Sequence, residues 1–172
     1  MRTLRTLLKL IDAFSEWTGI IALWLATLLM LLVSLEVIMR YAFNRPTMWN
    51  YETALMVGGA IYALSWAYCH KYRLHIKVDV IYSRLSFRAK AIFDVIGTLL
   101  FFFPISFALA YAAISATIRS WVVHETSIET YWYPPLWPFR TAVMLGFILF
   151  ALQGTANFIR DFYFLTRGKN YD

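Results

Sequence analysis

The chain has 172 residues, of which 60% are hydrophobic and only 15% charged, with a mean hydropathy of +0.58. A soluble domain of this length is about half apolar and about a quarter charged, so the composition excludes an ordinary soluble domain and points to a bilayer. One cysteine, Cys69, excludes an internal disulfide framework and a Cys-rich metal site. The formal charge of +6 fits loop charges that orient a membrane protein better than a nucleic-acid surface.

In chain order, residues 1–16 carry Leu4, Leu7, Leu8, Ile11 and Phe14 at helical spacing, with Arg5, Lys9, Asp12 and Glu16 opposite. This pattern predicts an amphipathic helix lying in the membrane interface. Trp17 to Leu35 then gives 19 residues without a charge, enough to cross a hydrocarbon core of about 30 Å. The stretch from Glu36 to Glu52 follows, richer in charge, rings and proline than a simple link requires. Thr53 to Cys69 is a second uncharged run, on which Gly59, Ala63 and Ala67 make a small-residue face for helix packing.

His70 to Asp94 is the most basic segment and predicts a surface turn or short helix. Val95 to Ile118 is a third run of 24 uncharged residues, with Pro104 predicting a kink and Ala108, Ala112 and Ala116 a second packing stripe. Arg119 to Arg140 holds Pro134, Pro135 and Pro138 among aromatic rings, which predicts a stiff turn at headgroup level. Thr141 to Ile159 is the fourth run, with Gly146 and Gly154 on nearly one face and Gln153 placed to bond a neighbouring helix.

The expected architecture is an all-α integral membrane protein. It comprises an interfacial helix over 1–16, a four-helix transmembrane domain over 17–160 and a tail over 161–172. The spans are expected at about 17–39, 53–70, 95–118 and 141–159. Lys and Arg number 12 on the side holding both termini and the second connection, and 4 on the other. The positive-inside rule then puts both termini in the cytoplasm and the Glu36–Glu52 stretch outside.

Catalysis has little to work with in this sequence. The four runs contain no Asp, Glu, Lys or Arg, and the histidines His70, His75 and His124 all lie outside mid-span. There is no phosphate-binding glycine loop and no zinc spacing. A small homodimeric exporter would want a membrane-embedded carboxylate. The anchor of a redox complex would want histidines inside the bundle, and His70 near a span end keeps that alternative open. The residues by themselves describe a non-catalytic membrane subunit, with no cofactor and no nucleic-acid partner.

Arg40-Tyr41-x-Phe43-Asn44-x-Pro46, followed by Trp49 and Glu52, resembles the signature of the small DctQ-like membrane subunit of tripartite ATP-independent periplasmic (TRAP) transporters. His75 to Asp79 resembles the family's second motif. Trp137, Pro138, Gly146 and Gln153 fall in its third. Tyr51 precedes a single Glu52 where the family usually has an acidic pair, and Arg73 and Leu74 stand where it usually has glycines. The resemblance implies a bacterial inner-membrane, multi-pass protein that forms a heterodimer with a large multi-span subunit. That partner would carry the substrate and sodium sites, and a periplasmic binding protein would deliver an organic acid for ion-gradient-driven uptake. Glu36, Arg40, Tyr41, Asn44, Pro46, Trp49, Glu52, His75, Asp79, Trp137, Pro138 and Gln153 would then serve structure or the subunit interface.

Overall fold

The computed structural model describes residues 2–74 and 86–167. It is helical, with one isolated antiparallel bridge between Thr126 and Pro135 among the described residues. The helices are α1 (Arg2–Tyr41), α2 (Met48–Lys71), α3 (Phe87–Gly97), α4 (Phe103–Val122) and α5 (Trp137–Arg167). A π-helical turn, Thr98–Phe102, joins α3 to α4 without a break. Three helices are long and apolar enough to cross a membrane: Thr3–Tyr41, Ala89–Val122 and Trp137–Arg167. The 24-residue α2 is not among them.

α1 is one helix of 40 residues, about 60 Å long, so no helix end separates the 1–16 segment from the first apolar run. The reason lies in the sequence: no proline occurs before Pro46, and the one glycine of α1, Gly19, lies against the Tyr68 ring. Along the 1–16 segment Arg5 and Lys9 are exposed, whereas Asp12 and Glu16 are half-buried against the neighbouring helices. Leu8 and Ser15 are buried, while Leu4, Leu7, Leu10, Phe14 and Trp17 are exposed.

Pro46 keeps Arg45 out of the helical region, and Asn44 adopts φ 49°, a left-handed conformation that asparagine tolerates. The chain therefore reverses over 42–47, and α2 runs back along α1. Pro104 explains the π turn. A proline has no N–H to give and its ring clashes with the carbonyl four residues earlier, here Leu100. Widening the preceding turn relieves that clash, and the Phe103 N–H bonds Thr98 O instead. Ser86 starts α3 by accepting a bond from Ala89 N at 3.3 Å.

α1 lies along α2, α2 along α5, and α5 along α4. α2 and α5 are thus the middle of the bundle, and α1 and α4 keep broad outward faces. The interior is built of small residues, including Ala60, Ala63, Ala67, Ala110, Ala113, Ala151 and Ala156, while Trp24, Met30, Leu31, Ile105 and Tyr111 point outward. That distribution suits helices surrounded by lipid, where close backbone approach drives association.

Candidate functional site

At the end of the bundle where α1 meets α2, Glu36 holds the corner. Its Oε1 accepts from Arg40 Nη2 at 2.8 Å and from Arg40 Nε at 3.3 Å. Its Oε2 accepts from the Thr47 N–H at 3.1 Å and from the Thr47 hydroxyl. Thr47 is the N-cap of α2, but its hydroxyl is spent on Glu36 and makes no cap bond to its own helix. Asn50, buried on the first turn of α2, donates to Leu32 O at 2.7 Å. Val33, Glu36, Arg40, Tyr41, Asn50 and Tyr51 help to line a shallow hollow of about 290 Å³ here. Tyr41 is largely open to the surroundings, and Trp49 is partly so.

Glu52, about half a turn beyond Asn50 on α2, faces the other way and is 2% exposed. Its Oε1 accepts from the Thr130 hydroxyl, which ties α2 to the loop between α4 and α5. Glu52 Oε2 has no hydrogen-bond partner among the described residues. The loop is compact. Ser127 N donates to Pro134 O at 2.8 Å and Leu136 N to Glu125 O at 2.9 Å, forming a short antiparallel pairing instead of a plain extended turn. Trp121 donates to Thr141 at 3.0 Å and its ring lies 4.3 Å from that of Trp137, so Trp137 locks α5 against α4. Pro138 follows in the first turn of α5, where a missing N–H costs nothing.

Arg140 anchors the same loop through Glu125 at 2.6 Å, and this guanidinium holds the Glu125 carboxyl below the usual carboxylate range. A depressed carboxyl contributes stability that is complete above its ordinary value and is lost as pH falls through its lower, folded-state value. The loop is therefore expected to keep its tie to α5 down to about pH 4 and to loosen only below it. Hydrogen exchange over 123–136, corrected for intrinsic rates, checks this. Protection should be constant between pH 7 and pH 5 and lower in Glu125→Gln at both. A wild-type loop that loosens within that window contradicts the assignment.

The opposite end carries a second set of ties, of which only Gln153 is visible in the sequence. Gln153 is fully buried, accepts from Ser15 Oγ at 2.7 Å and donates to Asp12 Oδ1 at 3.0 Å. Asp12 in turn accepts two bonds from Arg160, at 3.2 and 2.6 Å. Asn157 donates to His70 O at 2.9 Å, and Glu16 accepts from both Lys71 and Tyr72. Asp12, Ser15 and Glu16 of the 1–16 segment thus face α5 and the end of α2, while Arg5 and Lys9 remain exposed.

Small residues set the closest approach. A Cβ on Gly146 would lie 2.4 Å from Ala63 O, so α2 and α5 touch backbone to backbone there. Gly59 abuts the Phe139 ring, Gly154 the Phe102 ring, and Ala67 is fully buried. The stripe Ala108, Ala112 and Ala116 does not form the packing face of α4. Ala108 and Ala112 are exposed, and the buried face is Ser106, Ala110, Ala113, Thr117 and Ser120. Steps of four residues drift around a helix of 3.6 per turn, whereas alternating steps of four and three stay on one side. Thr117 explains the choice, since its hydroxyl donates to Arg140 O at 3.0 Å. His75 and Asp79 lie outside the described residues.

No group of three or more His, Cys, Asp and Glu residues gathers around a possible metal position among the described residues. The polar side chains bond one another across helices, and the large apolar ones face outward. This arrangement defines a helical membrane protein held together by small-residue contacts and polar ties. Residues 29–163 match the family described as tripartite ATP-independent periplasmic transporters, DctQ component, and the chain belongs to that family. No curated protein gives a significant match to it.

Proposed function

We propose that this protein is the small, non-catalytic membrane subunit of a TRAP-type secondary transporter. It braces a large multi-span subunit that carries the transport and sodium sites, and a periplasmic binding protein supplies an organic acid to the pair. The family match over most of the chain carries this reading. In this reading all four long helices span the inner membrane, both termini are cytoplasmic, and the Glu36 corner and the 123–136 loop face the periplasm. The excess of Lys and Arg on the side of the termini supports that orientation. The redox alternative finds no support, because the His70 ring is stacked 4.7 Å from Phe102 and edged by Phe150.

The exposed part of the corner is where a partner would be felt. The Arg40–Glu36 pair is 58% open on the arginine side, so losing it costs at most about 1 kcal/mol of stability. Arg40→Ala and Trp49→Ala are therefore expected to lower uptake by the whole transporter severalfold while leaving the amount of this subunit in the membrane nearly unchanged. Uptake assays paired with immunoblots of membranes check this. Parallel loss of uptake and protein would reduce both residues to helix anchors.

A further inference from the structure

The exposed side of α1 is more regular than a lipid-facing surface needs to be. From Leu7, Leu10, Phe14 and Trp17, alternating steps of three and four residues lead through Trp24 and Leu31 to Ile38. All ten positions on this stripe carry large apolar side chains, and all are 41–70% exposed. One residue on from the stripe lies the packed side, where Leu8, Ser15, Thr18 and Ala22 are buried. α1 therefore fills its own bundle with mostly small side chains and leaves its largest rings, Phe14, Trp17 and Trp24, outside. The other outer positions are mixed. Lys9, Ala13, Thr27 and Ser34 are exposed too, and the Thr27 hydroxyl turns back to Leu23 O at 3.2 Å.

Period and length together decide what covers the stripe. Steps averaging about 3.5 residues keep one seam against a neighbouring helix along its whole length, whereas acyl chains impose no period. From Leu7 to Ile38 the stripe runs about 46 Å, against a hydrocarbon core of about 30 Å. Fitting it inside that core would take a tilt of about 50°, beyond the roughly 0–40° of membrane helices. Leu7, Leu10 and Phe14 share their turns with Arg5, Lys9 and Asp12, so this end leaves the hydrocarbon with its apolar side chains still exposed. Ten such side chains, each about half exposed, offer on the order of 1,000 Å², and a stable interface needs about 800 Å² per partner.

We infer that this stripe is the seam against which the large membrane subunit packs a long apolar helix. The inference rests on the reading of the chain as the small TRAP subunit and adds the face that meets the partner. Side chains as large as Trp17 and Trp24 need shallow positions opposite them. The partner helix therefore presents Gly, Ala or Ser there and crosses α1 at about 20°. It follows α1 beyond the hydrocarbon and covers Leu7, Leu10 and Phe14 where acyl chains end. The place of α1 at the edge of the bundle, beside α2, leaves room for it.

A photo-crosslinking amino acid placed at Leu10, Trp24 or Leu31, and at the exposed control positions Thr27 and Ser34, tests the seam in membranes that contain both subunits. Adducts with the large subunit should form at the three seam positions and not at the two controls. Trp17→Ala combined with Trp24→Ala should lower the amount of large subunit recovered with the tagged chain about tenfold, the factor that one anchoring side chain supplies. The two rings are 66% and 70% exposed, so thermal unfolding of the isolated chain should stay at the wild-type temperature. Wild-type recovery by this variant overturns the proposal. Adducts only with lipid or with a second copy of this chain, or equal adducts at Thr27 and Ser34, overturn it as well. Recovery of the two subunits together without seam adducts does so while leaving the TRAP reading standing. Failure of the wild-type chain to recover any large subunit overturns both.

Discussion

Gly146→Leu is expected to separate α2 from α5 and to destabilise the bundle by about 3 kcal/mol or more. The first atoms a new side chain meets are the carbonyl oxygen and carbon of Ala63, at 2.4 and 2.6 Å, and these are backbone. A flexible side chain could swing aside, but a helix backbone must translate as a body. Gly146→Ala meets the same atoms and is expected to be destabilising as well, although alanine is the better helix former. Gly97→Ala is the control, because open space surrounds it, and it should be neutral or stabilising by about 0.5–1 kcal/mol. Thermal unfolding in detergent, followed by circular dichroism, measures all three. A Gly146→Ala protein as stable as Gly97→Ala would show that the two helices do not touch at this point.

Asp12→Ala should be the most damaging change outside the middle of the bundle. It removes the carboxylate that takes two bonds from Arg160 and one from Gln153. Breaking one partner of a fully buried ion pair costs about 3–5 kcal/mol. These side chains are 24% and 18% exposed, so screening brings the expectation to about 2 kcal/mol. Asp12→Asn keeps an oxygen for Gln153 and should cost about half as much. The double variant Asp12→Ala with Arg160→Ala should lose less than the two single losses combined, since each residue's cost includes stranding the other. Strict additivity would place the two residues in separate environments.

The apolar runs announced α1, the long α3–α4 helix and α5, because a membrane-crossing helix must be apolar for its whole length. The Glu36–Arg40 pair is likewise local, an i,i+4 spacing on one helix. Its second partner, Thr47, is eleven residues away across a reversal, and its hydroxyl looks from the sequence like an ordinary N-cap. The Asp12–Gln153–Arg160 tie joins residues more than a hundred positions apart, and no periodicity carries that information. Asp12 reads in isolation as the polar side of an interfacial helix. Only the path of α1 beside α5 turns it inward. The face of α4 that packs within the chain is hidden in the sequence for a different reason. Ala108, Ala112 and Ala116 repeat every four residues and drift off the buried face, which carries Ser106, Ala110, Ala113, Thr117 and Ser120, with the Thr117 hydroxyl bonded across to Arg140 O.

Among the described residues, polar groups tie one end of the bundle through Glu36, Glu52 and Glu125, and the other through Gln153, Asp12 and Glu16. These ties are the basis on which the proposed function gives the chain a bracing role beside a larger membrane subunit.

The most direct measurement is uptake into proteoliposomes containing the large subunit, with binding protein and an ion gradient, with and without this chain. Uptake is predicted only when the chain is present, and neither the large subunit nor this chain should transport alone. Undiminished uptake in its absence would contradict the scaffold role.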